Sequence, residues 1–327
     1  MYQSVLNLNE TEKGIKVIKD NFERYLAQEL DLVRVSSPLF VNKNSGLNDN
    51  LNGVETPVSF IPKDFKEELE IVHSLAKWKR YALDKYQIPV NQGLYCDMNA
   101  IRKDETLDDI HSLYVDQWDW EKHINNEERT IKYLKQTVSK INQAILKTQK
   151  KTLISFPKLK PIFSGKVTFI TSEDLLKLYP KKSPKARETA FAKLHGTIFI
   201  IGIGHKLSDG QPHDLRAPDY DDWNLNGDLL VYYPLLKEAI EISSMGIRVN
   251  KESLVNQLKL SNNLDRLNLP FHKVLMNDQL PLSIGGGIGQ SRLCLVLLNK
   301  KHIGEVQASS WSTEELKQTK KEGIELL

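Results

Sequence analysis

The string "GGGIGQSRLCLVLL", from Gly285 to Leu298, places four glycines ahead of a polar pair, one arginine and an apolar, helix-like stretch. A glycine-rich loop ahead of a helix commonly cradles phosphate, because glycine lets backbone N–H groups approach the anion closely. The string is not a Walker loop, since no Gly-Lys-Ser/Thr follows. It is not a dinucleotide fingerprint either, since Arg292 stands where the third glycine belongs. We therefore predict a glycine-rich turn and a helix, with Arg292 as the feature that needs a chemical explanation.

Two strand-like segments, "GLYCDMNAIR" and "HSLYVDQWDW", follow one another across a short acidic connection. Alternate residues of a strand share one face, so pairing of these segments would place Arg102, Gln117 and Asp119 together above an apolar floor. Arginine suits phosphate or carboxylate because its fork donates two parallel hydrogen bonds, and Asp119 could hold an ammonium group. A solvated sheet face with an ordinary salt bridge fits this spacing equally well.

A second predicted strand pair, "GDLLVYY" and "AIEISSMGIRV", carries Asp228 on the first segment and Glu241 on the second. Two carboxylates on neighbouring strands can share a hard cation such as Mg²⁺ beside nucleotide phosphates. Spacing alone favours the simpler interpretation, a surface acid on each strand. Arg248 adds a cation to the same region. Acids and arginines together indicate a functional site more strongly than either residue type alone.

Other candidate motifs point to simpler structures. The segment "GIGHKL" follows a predicted strand but lacks the third glycine of a dinucleotide-binding turn, so a plain tight turn is favoured. His205 and His213 have no third ligand at useful spacing and are expected to be loop histidines. Ser243 and Ser244 have no His-Asp pattern nearby, so a nucleophilic triad is unsupported.

Composition limits the class of protein. The chain has 327 residues, of which 40% are apolar and 27% charged, and a formal net charge of +3 with the two signs interspersed. This charge is too small to indicate a nucleic-acid or membrane partner. The two cysteines, Cys96 and Cys294, fit a reducing cytosol and exclude a disulfide framework. The N-terminus does not resemble a signal peptide and no apolar run approaches about 18 residues, so a soluble cytoplasmic protein is expected.

Hydrophobic periodicity predicts helices between groups of strands. Apolar residues recur at helical spacing from Ile15 to Leu30, and again from Ile131 to Ile145. The first helix runs into "LVRVSSPLFV", where Pro38 indicates an edge or interface strand. Strand pairs with short connections, and helices between the groups, favour an antiparallel sheet flanked by helices. The sequence therefore predicts an α+β fold and not a regular βαβ winding.

The order of these features is similar to that of the three signature motifs of class II aminoacyl-tRNA synthetases. A long helix runs into the Pro38 strand, "IRKDE" and "YVDQWDWE" follow, and "GGGIGQSRL" comes last. The resemblance implies a class II synthetase-like catalytic fold. It also implies that the chain dimerises through the first helix and strand, with Pro38 at the two-fold interface of a homodimer.

Nearly the whole chain, from residue 12 to residue 306, also resembles the ammonia-dependent asparagine synthetases, or aspartate–ammonia ligases. The expectation is a single catalytic domain over 1–327, without an anticodon-binding module. One departure is the connection "DDWNLNGD", which carries Asp221 and Asp222 and is very short where relatives can carry a longer loop. The resemblance depends on five strings: "HSLAKWKR", "LYVDQWDWE", "RAPDYDDW", "EISSMGIRV" and "IGGGIGQSR".

On this resemblance, the expected cofactors are ATP and Mg²⁺. Arg292, in the third motif, would contact the base or the terminal phosphate of a bent ATP, while Gly287 and Gly289 allow the close approach. Arg102, in the second motif, would hold the α-phosphate together with the reacting carboxylate. Arg216 is a further family-matched nucleotide contact. The implied metal ligands are Asp228 and Glu241.

The same resemblance implies a site for L-aspartate. Lys79, five residues after Ser74, would grip a substrate carboxylate, and Asp119 would pair with the ammonium group. Asp49 lies in a loop that reaches the substrate in the ligase family, and Asp49 or Asp221 would bind ammonium and accept its proton. The other residues assigned to catalysis or substrate binding are Gln117, Arg248, Ser243 and Ser244.

The implied reaction has two steps, with L-aspartate, ammonia and ATP as partners. The β-carboxylate attacks the α-phosphorus of ATP to give β-aspartyl-AMP and pyrophosphate, and ammonia then attacks the acyl carbon to give asparagine and AMP. Preorganised positive charge from Arg102, Lys79 and Arg292 would offset the repulsion between the two anions. The chain begins Met1-Tyr2-Gln3, without the N-terminal cysteine that releases ammonia from glutamine, so free ammonia is the expected donor.

Two other functions share parts of this pattern. A tRNA ligase for aspartate or asparagine would need an anticodon-binding module ahead of the first helix, which begins near Thr11, and an electrostatic footprint for RNA. A catalytically dead nucleotide sensor would be expected to lack Arg102, Arg292 or a metal acid. Nucleotide binding without aspartate-dependent pyrophosphate release would be its signature.

Overall fold

The computed structural model describes residues 2–49 and 55–327. Helices in these ranges are α1 (Leu8–Leu30), α2 (Ala76–Lys85), α3 (Ile131–Ser155), α4 (Ser172–Leu178), α5 (Pro184–His195), α6 (Lys251–Leu260), α7 (Pro270–Met276), α8 (Gln290–Leu297) and α9 (Thr313–Glu322). Strands are β1 (Leu32–Arg34), β2 (Phe40–Asn42), β3 (Ser59–Phe60), β4 (Leu69–Ile71), β5 (Gly93–Ile101), β6 (Tyr114–His123), β7 (Val167–Thr171), β8 (Thr197–Ile201), β9 (Asp221–Tyr233), β10 (Glu238–Arg248) and β11 (Ser283–Gly289).

The main sheet has eight strands in the order β1-β5-β6-β11-β10-β9-β8-β7. Its central pairs are antiparallel, while the pairs at the two edges, β1 with β5 and β7 with β8, are parallel. A small antiparallel sheet, β2-β4-β3, lies apart from it. The predicted α+β fold, an antiparallel sheet flanked by helices, is confirmed, with parallel pairing added at both edges.

One face of the main sheet is covered by α1, α3 and α8, which enclose the largest apolar core. In α1, Asn7 caps the N-terminus through its side chain, and every third or fourth residue from Ile18 to Leu30 is buried. Phe22 packs on Trp118 of β6, with ring centroids 4.6 Å apart. The predicted periodicity of both long helices is therefore confirmed, and it fixes which face of β6 points away from these helices.

The opposite sheet face is only partly covered. A second apolar cluster packs α4 and α5 over β7, β8 and β9, and α2 lies against β5 and β6. Between these two covers, polar side chains of β6 and β10 and the glycines of β11 line a cavity. The site described below therefore lies at the centre of the sheet, where a floor of hydrogen-bonded backbone holds it rigidly.

Three local predictions were wrong. Pro38 itself lies in the connection between β1 and β2 and not in a strand, although both flanking strands are edge strands of their sheets, as predicted for this segment. The segment "DDWNLNGD" is not a connection but the first half of β9, since it starts at Asp221. The glycines from Gly285 to Gly289 form strand β11 in the middle of the sheet and not a turn. None of the helices in the described ranges combines the length and apolarity needed to cross a membrane.

Candidate active site

The cavity on the open sheet face has a volume of about 400 Å³ and is lined mostly by polar groups. Most of the residues predicted to form the site line it: Asp49, Ser74, Lys79, Arg102, Gln117, Asp119, Arg216, Asp221, Glu241, Ser244, Arg248, Gly287, Gly289 and Arg292. Asp228 and Ser243 are not among the lining residues. Asp228 is buried beside the cavity, and the Ser243 hydroxyl donates to the carbonyl of Gly287 at 2.8 Å.

The pairing of β5 with β6 is antiparallel and in the register that places the predicted residues on one face. Met98 lies opposite Gln117, and Ala100 lies opposite Val115. The N–H of Arg102 donates to the Leu113 carbonyl at 2.9 Å, which extends the ladder beyond β5. The prediction that Arg102, Gln117 and Asp119 share a face above an apolar floor is therefore confirmed.

The glycines of β11 make room for the side chains of β6. Gly287 pairs with Asp119, and a Cβ atom at Gly287 would lie 2.2 Å from Oε1 of Gln117 and 2.6 Å from Oδ1 of Asp119. At Gly285 a Cβ would lie 1.9 Å from Oε2 of Glu121. Since β11 is a strand, its glycines are not a loop whose N–H groups wrap around a phosphate. Their chemical effect is a groove into which polar side chains of the neighbouring strand project.

Lys79 projects from α2 onto this groove and is only 1% exposed. Its Nζ lies 3.2 Å from Oδ2 of Asp119 and donates to the Gly286 carbonyl at 2.9 Å. Ser74 precedes α2 and accepts a hydrogen bond from the Ala76 N–H at 3.1 Å. The predicted lysine and aspartate therefore meet, and together they present one fixed cation and one fixed anion to the cavity.

Glu121 is a residue of the site that the sequence reasoning missed. Its carboxylate is fully buried, accepts three hydrogen bonds from the Arg248 guanidinium at 2.7–3.1 Å, and accepts a fourth from Ser283. Arg248 also pairs with Asp221. Extending the alternation through Gln117 and Asp119 by two residues reaches Glu121, but its partner Arg248 is 127 residues away in sequence. Glu121 and Asp221 together hold the Arg248 guanidinium in one orientation where it lines the cavity.

Burial opposes ionisation of Glu121, but the charge and hydrogen bonds of Arg248, together with Lys79 and Ser283, outweigh burial and hold the pKa of this carboxyl below its ordinary value of 4.5. We expect Glu121→Gln to lower the free energy of unfolding by about 3 kcal/mol, because buried Arg248 would lose one of its two charged partners. The ion pair contributes fully above pH 4.5 and is lost as the pH falls through the depressed pKa.

Urea denaturation of wild type and Glu121→Gln across a pH series would measure this effect. The difference in unfolding free energy should stay constant between about pH 5 and pH 7, and shrink as the pH falls below this range. Equal stability of the two proteins at neutral pH would contradict the expected contribution of the ion pair. A similar control change in an exposed pair, Glu68→Gln opposite Lys43, should alter stability little.

Asp228 and Glu241, the predicted metal ligands, lie on neighbouring strands β9 and β10. Asp228 pairs with Arg216 at 2.6 Å, and Arg216 also donates to the Ser244 hydroxyl. Burial, reinforced by the charge of Glu241 and opposed by Arg216, raises the pKa of Asp228 to about 7. In the described part of the chain, no three His, Cys, Asp or Glu side chains are grouped to hold a metal by themselves. A cation there would need further oxygen ligands.

Arg102 and Arg292 differ from the other two arginines of the cavity, which are held by carboxylates. Among the described residues, Arg102 donates a single long hydrogen bond, of 3.4 Å, to the His73 carbonyl. Arg292 donates to the Ile110 and Glu241 carbonyls at 3.4 and 3.2 Å. Across residues 2–49 and 55–327, no carboxylate oxygen lies within the 4.0 Å that defines an ion pair with either guanidinium. Their positive charge is therefore available to an anion entering the cavity.

Asp49 reaches the cavity from the segment ahead of β3 and is 3% exposed. Its backbone is anchored from several sides. The Asn48 side chain accepts from the N–H groups of Asp49 and His73, both at 2.9 Å, and Lys77 donates to the Asn48 carbonyl at 3.1 Å. The rest of the loop, 50–54, lies outside the described residues.

The fold and this polar site define a class of protein. Solved structures similar to this one include the asparaginyl-tRNA synthetase of Entamoeba histolytica in complex with asparaginyl-adenylate, at a TM-score of 0.64 and 17% identity. The match covers 92% of this chain and 66% of that one. The asparaginyl-tRNA synthetase of Pyrococcus horikoshii matches at a TM-score of 0.63 and 15% identity, over 92% of this chain and 68% of that one. The chain has the catalytic fold of class II aminoacyl-tRNA synthetases.

The family is narrower than that class. The aspartate–ammonia ligase family matches residues 9–323. An aspartate–ammonia ligase of Clostridium perfringens is 55% identical over 327 residues, covering 100% of this chain and 97% of that protein. The Fusobacterium nucleatum aspartate–ammonia ligase is 57% identical over 313 residues, covering 96% of this chain and 95% of that protein. This chain belongs to the aspartate–ammonia ligase family, and it is a ligase.

Proposed function

We propose that this ligase joins free ammonia to the β-carboxylate of L-aspartate in two ATP-dependent steps. In the first, a carboxylate oxygen attacks the α-phosphorus, forming β-aspartyl-AMP and expelling pyrophosphate. In the second, ammonia attacks the acyl carbon, AMP leaves, and one proton is released with asparagine. The observation that carries this proposal is the pair of arginines, Arg102 and Arg292, which have no carboxylate partner among the described residues and line a cavity that also holds the fixed Lys79–Asp119 pair.

The first step must bring two anions together. Arg102 stands at the end of the β5–β6 ladder and would bind the α-phosphate together with the attacking carboxylate, since its fork matches both groups. Arg292, at the start of α8, would bind the nucleotide from the other side of the cavity. Fixed guanidinium groups in a water-poor site stabilise the charge that develops on the phosphorus oxygens without reorganisation.

The amino acid would lie in the groove beside β11. Asp119 would accept the substrate ammonium group, and Lys79 would supply positive charge for the substrate carboxylates. Arg248, held by Glu121 and Asp221, would orient these carboxylates as a hydrogen-bond donor. Gln117 adds an amide that can donate and accept beside them. Ser74 and Ser244 complete the proposed polar boundary, while the lack of side chains at Gly287 and Gly289 keeps the groove open.

Magnesium is the expected partner of ATP here. Asp228 and Glu241 fit it, because carboxylate oxygens are ligands that Mg²⁺ prefers, and a cation would offset the burial and the charge of Glu241 that raise the pKa of Asp228. Phosphate oxygens would supply the remaining ligands. Bound there, the metal would neutralise phosphate charge. Arg216, which already contacts Asp228 and Ser244, would border the same phosphates.

Ammonium has to lose a proton before its nitrogen can attack. Asp49 and Asp221 both line the cavity, but protonation of Asp221 would disrupt its buried pair with Arg248. We therefore assign ammonium binding and proton acceptance to Asp49. Neutral ammonia would then attack the acyl carbon, and Arg102 would stabilise the leaving AMP.

The quaternary structure we propose is a homodimer. Large apolar side chains are exposed on and around the small sheet and on edge strand β1: Val33, Leu39, Phe40, Phe60 and Ile61. Phe40 and Phe60 contact each other edge to face, so this surface is continuous. A second copy would cover it, with Pro38 at its centre, and sedimentation should give twice the chain mass of 37.5 kDa. The free buried thiols of Cys96 and Cys294 fit a cytoplasmic setting.

The decisive assay measures pyrophosphate release from ATP and Mg²⁺ with L-aspartate, using ammonium or glutamine as nitrogen donor. Asparagine and AMP formed with ammonium alone are expected. Nucleotide binding without turnover would instead indicate a sensor. A parallel reaction containing tRNA should give no aminoacylated product, and its appearance would favour the tRNA-ligase alternative.

A further inference from the structure

A buried carboxylate lies on the apolar face of β6. The alternation that points Gln117 into the cavity points Asp116, Trp118 and Trp120 the other way, towards the helices. Both tryptophans are in the main core. Asp116 is only 6% exposed, and an acid in this layer is costly unless it is paired. Asp116, Ser291 and Gln307 also border the cavity, but the proposed reaction gives none of them a role, so the position of this carboxylate needs another explanation.

The two oxygens of Asp116 have different partners. Oδ1 accepts from the backbone N–H of Ser291 at 3.0 Å and, at 3.4 Å, from the side-chain amide of Gln307, which also donates to the Ser291 hydroxyl. Oδ2 lies 3.1 Å from Nζ of Lys19 in α1. A single carboxylate thus ties the first turn of α8 to helix α1 and to the segment after α8.

Helix α8 has no N-terminal cap of its own. Its N-cap residue is Gly289, which has no side chain, and the first turn contains no acidic residue. Uncapped N–H groups and the helix dipole make such an end attractive to anions. Asp116 occupies this position from another strand. It satisfies the Ser291 N–H and brings negative charge to the positive end of the helix.

We propose that Asp116 is a positioning residue for nucleotide binding, which holds α8 so that Arg292 faces the cavity and prevents phosphate from binding at the helix end. Arg292 is the residue directly after Ser291, so a change in the first turn of α8 is transmitted to its side chain within one peptide. This inference rests on the proposed function, in which Arg292 binds ATP. It also explains why the glycine-rich string can precede a helix without being a phosphate loop.

The test compares Asp116→Ala with Asp116→Asn in steady-state kinetics. Alanine leaves the Ser291 N–H without its acceptor, and should raise the KM for ATP about tenfold while the KM for aspartate changes less than about twofold. Asparagine keeps an oxygen for that N–H and should restore the KM for ATP to within about threefold of wild type. An unchanged KM for ATP in Asp116→Ala, or equal rises for both substrates, would overturn the proposal.

Arg292→Ala, alone and combined with Asp116→Ala, tests whether Asp116 acts through the arginine. If it does, the double variant should have the same KM for ATP as Arg292→Ala, since the effects of coupled residues do not add. Additive effects would overturn the inference but leave the nucleotide role of Arg292 intact. An Arg292→Ala enzyme with normal KM for ATP would instead refute the proposed role of Arg292, and the inference with it.

A control variant separates positioning from simple loss of stability. Thr130 caps α3 through its hydroxyl, and no residue of α3 lines the cavity. Thr130→Ala should lower the Tm without changing the KM for ATP.

Should Asp116→Ala be too unstable to purify, Asp116→Glu retains the charge but displaces the carboxylate by one methylene. The same rise in KM for ATP, and the same non-additivity with Arg292→Ala, is expected of it, and wild-type KM would count against the proposal.

Discussion

Arg102→Ala is expected to lower the rate of aspartate-dependent pyrophosphate release by about 10³-fold or more, with the fold intact. Among the described residues, the guanidinium has no carboxylate partner and one long hydrogen bond, to the His73 carbonyl. Removing it therefore breaks little that stabilises the protein. It removes the charge proposed to hold the α-phosphate and the attacking carboxylate, whose mutual repulsion opposes the first step.

The neighbouring residue offers a matched control. Lys103 is also a cation but is exposed, and it bonds to Thr56 and Asp104 outside the cavity. Lys103→Ala should leave pyrophosphate release within about twofold of wild type. Single-turnover measurements of pyrophosphate would place the effect of Arg102→Ala on the first step. Near-normal release by that variant would remove Arg102 from the mechanism, and similar losses in both variants would indicate a non-specific effect.

The residues on β5 and β6 could be predicted because a strand repeats every two residues. If the two segments pair, the two-residue repeat places Arg102, Gln117 and Asp119 on one face of the sheet. The register of β5 and β6 confirms this placement. The same count reaches Glu121 and, on the other face, Asp116. Neither was recognised, because an acid inside a strand indicates a site only when its partner is known. The partners, Arg248 and Lys19, are 127 and 97 residues away in sequence.

Other features depend on tertiary structure that a local pattern does not contain. Glycine is a poor strand former, so the string from Gly285 to Gly289 predicted a turn. It forms a strand because the polar side chains of β6 need the space that any larger residue would fill. Regular alternation would place Ser243 on the same face as Glu241, which lines the cavity. A register shift between these two residues of β10 interrupts the alternation, so that Ser244 lines the cavity and Ser243 does not.

The four arginines of the cavity also look alike in sequence but differ in structure. Arg216 and Arg248 are each neutralised by buried carboxylates, with Asp228 and Glu121 as their main partners. Such pairs fix geometry more than they attract ligands, because their charge is already balanced. Arg102 and Arg292 keep their charge for a ligand. The proposed division between positioning cations and anion-binding cations comes from this difference in pairing, which only the folded structure reveals.

Gly287→Ala is expected to lower kcat/KM for aspartate by about 100-fold, with some loss of stability from the displaced Lys79–Asp119 pair. The backbone at Gly287 is not in the left-handed region, so alanine is not strained there. The added methyl group would instead lie 2.2 Å from Oε1 of Gln117 and 2.6 Å from Oδ1 of Asp119. Gln117 can swing away at low cost, whereas Asp119 is held by Lys79. Relief of the clash therefore displaces the groups proposed to orient the amino acid.

The expected signature is a separation of substrates. Binding of ATP, measured by calorimetry without aspartate, should stay within about threefold of wild type, since Arg292 and Arg102 are not displaced by the methyl group. Gly165→Ala is the control, because a Cβ there meets no atom within 4 Å, and it should behave as wild type in both measurements. If Gly287→Ala retains full kcat/KM for aspartate, the groove beside β11 is not where the amino acid binds. If Gly287→Ala loses affinity for ATP instead, the groove binds the nucleotide, and Gln117 and Asp119 contact ATP and not the amino acid.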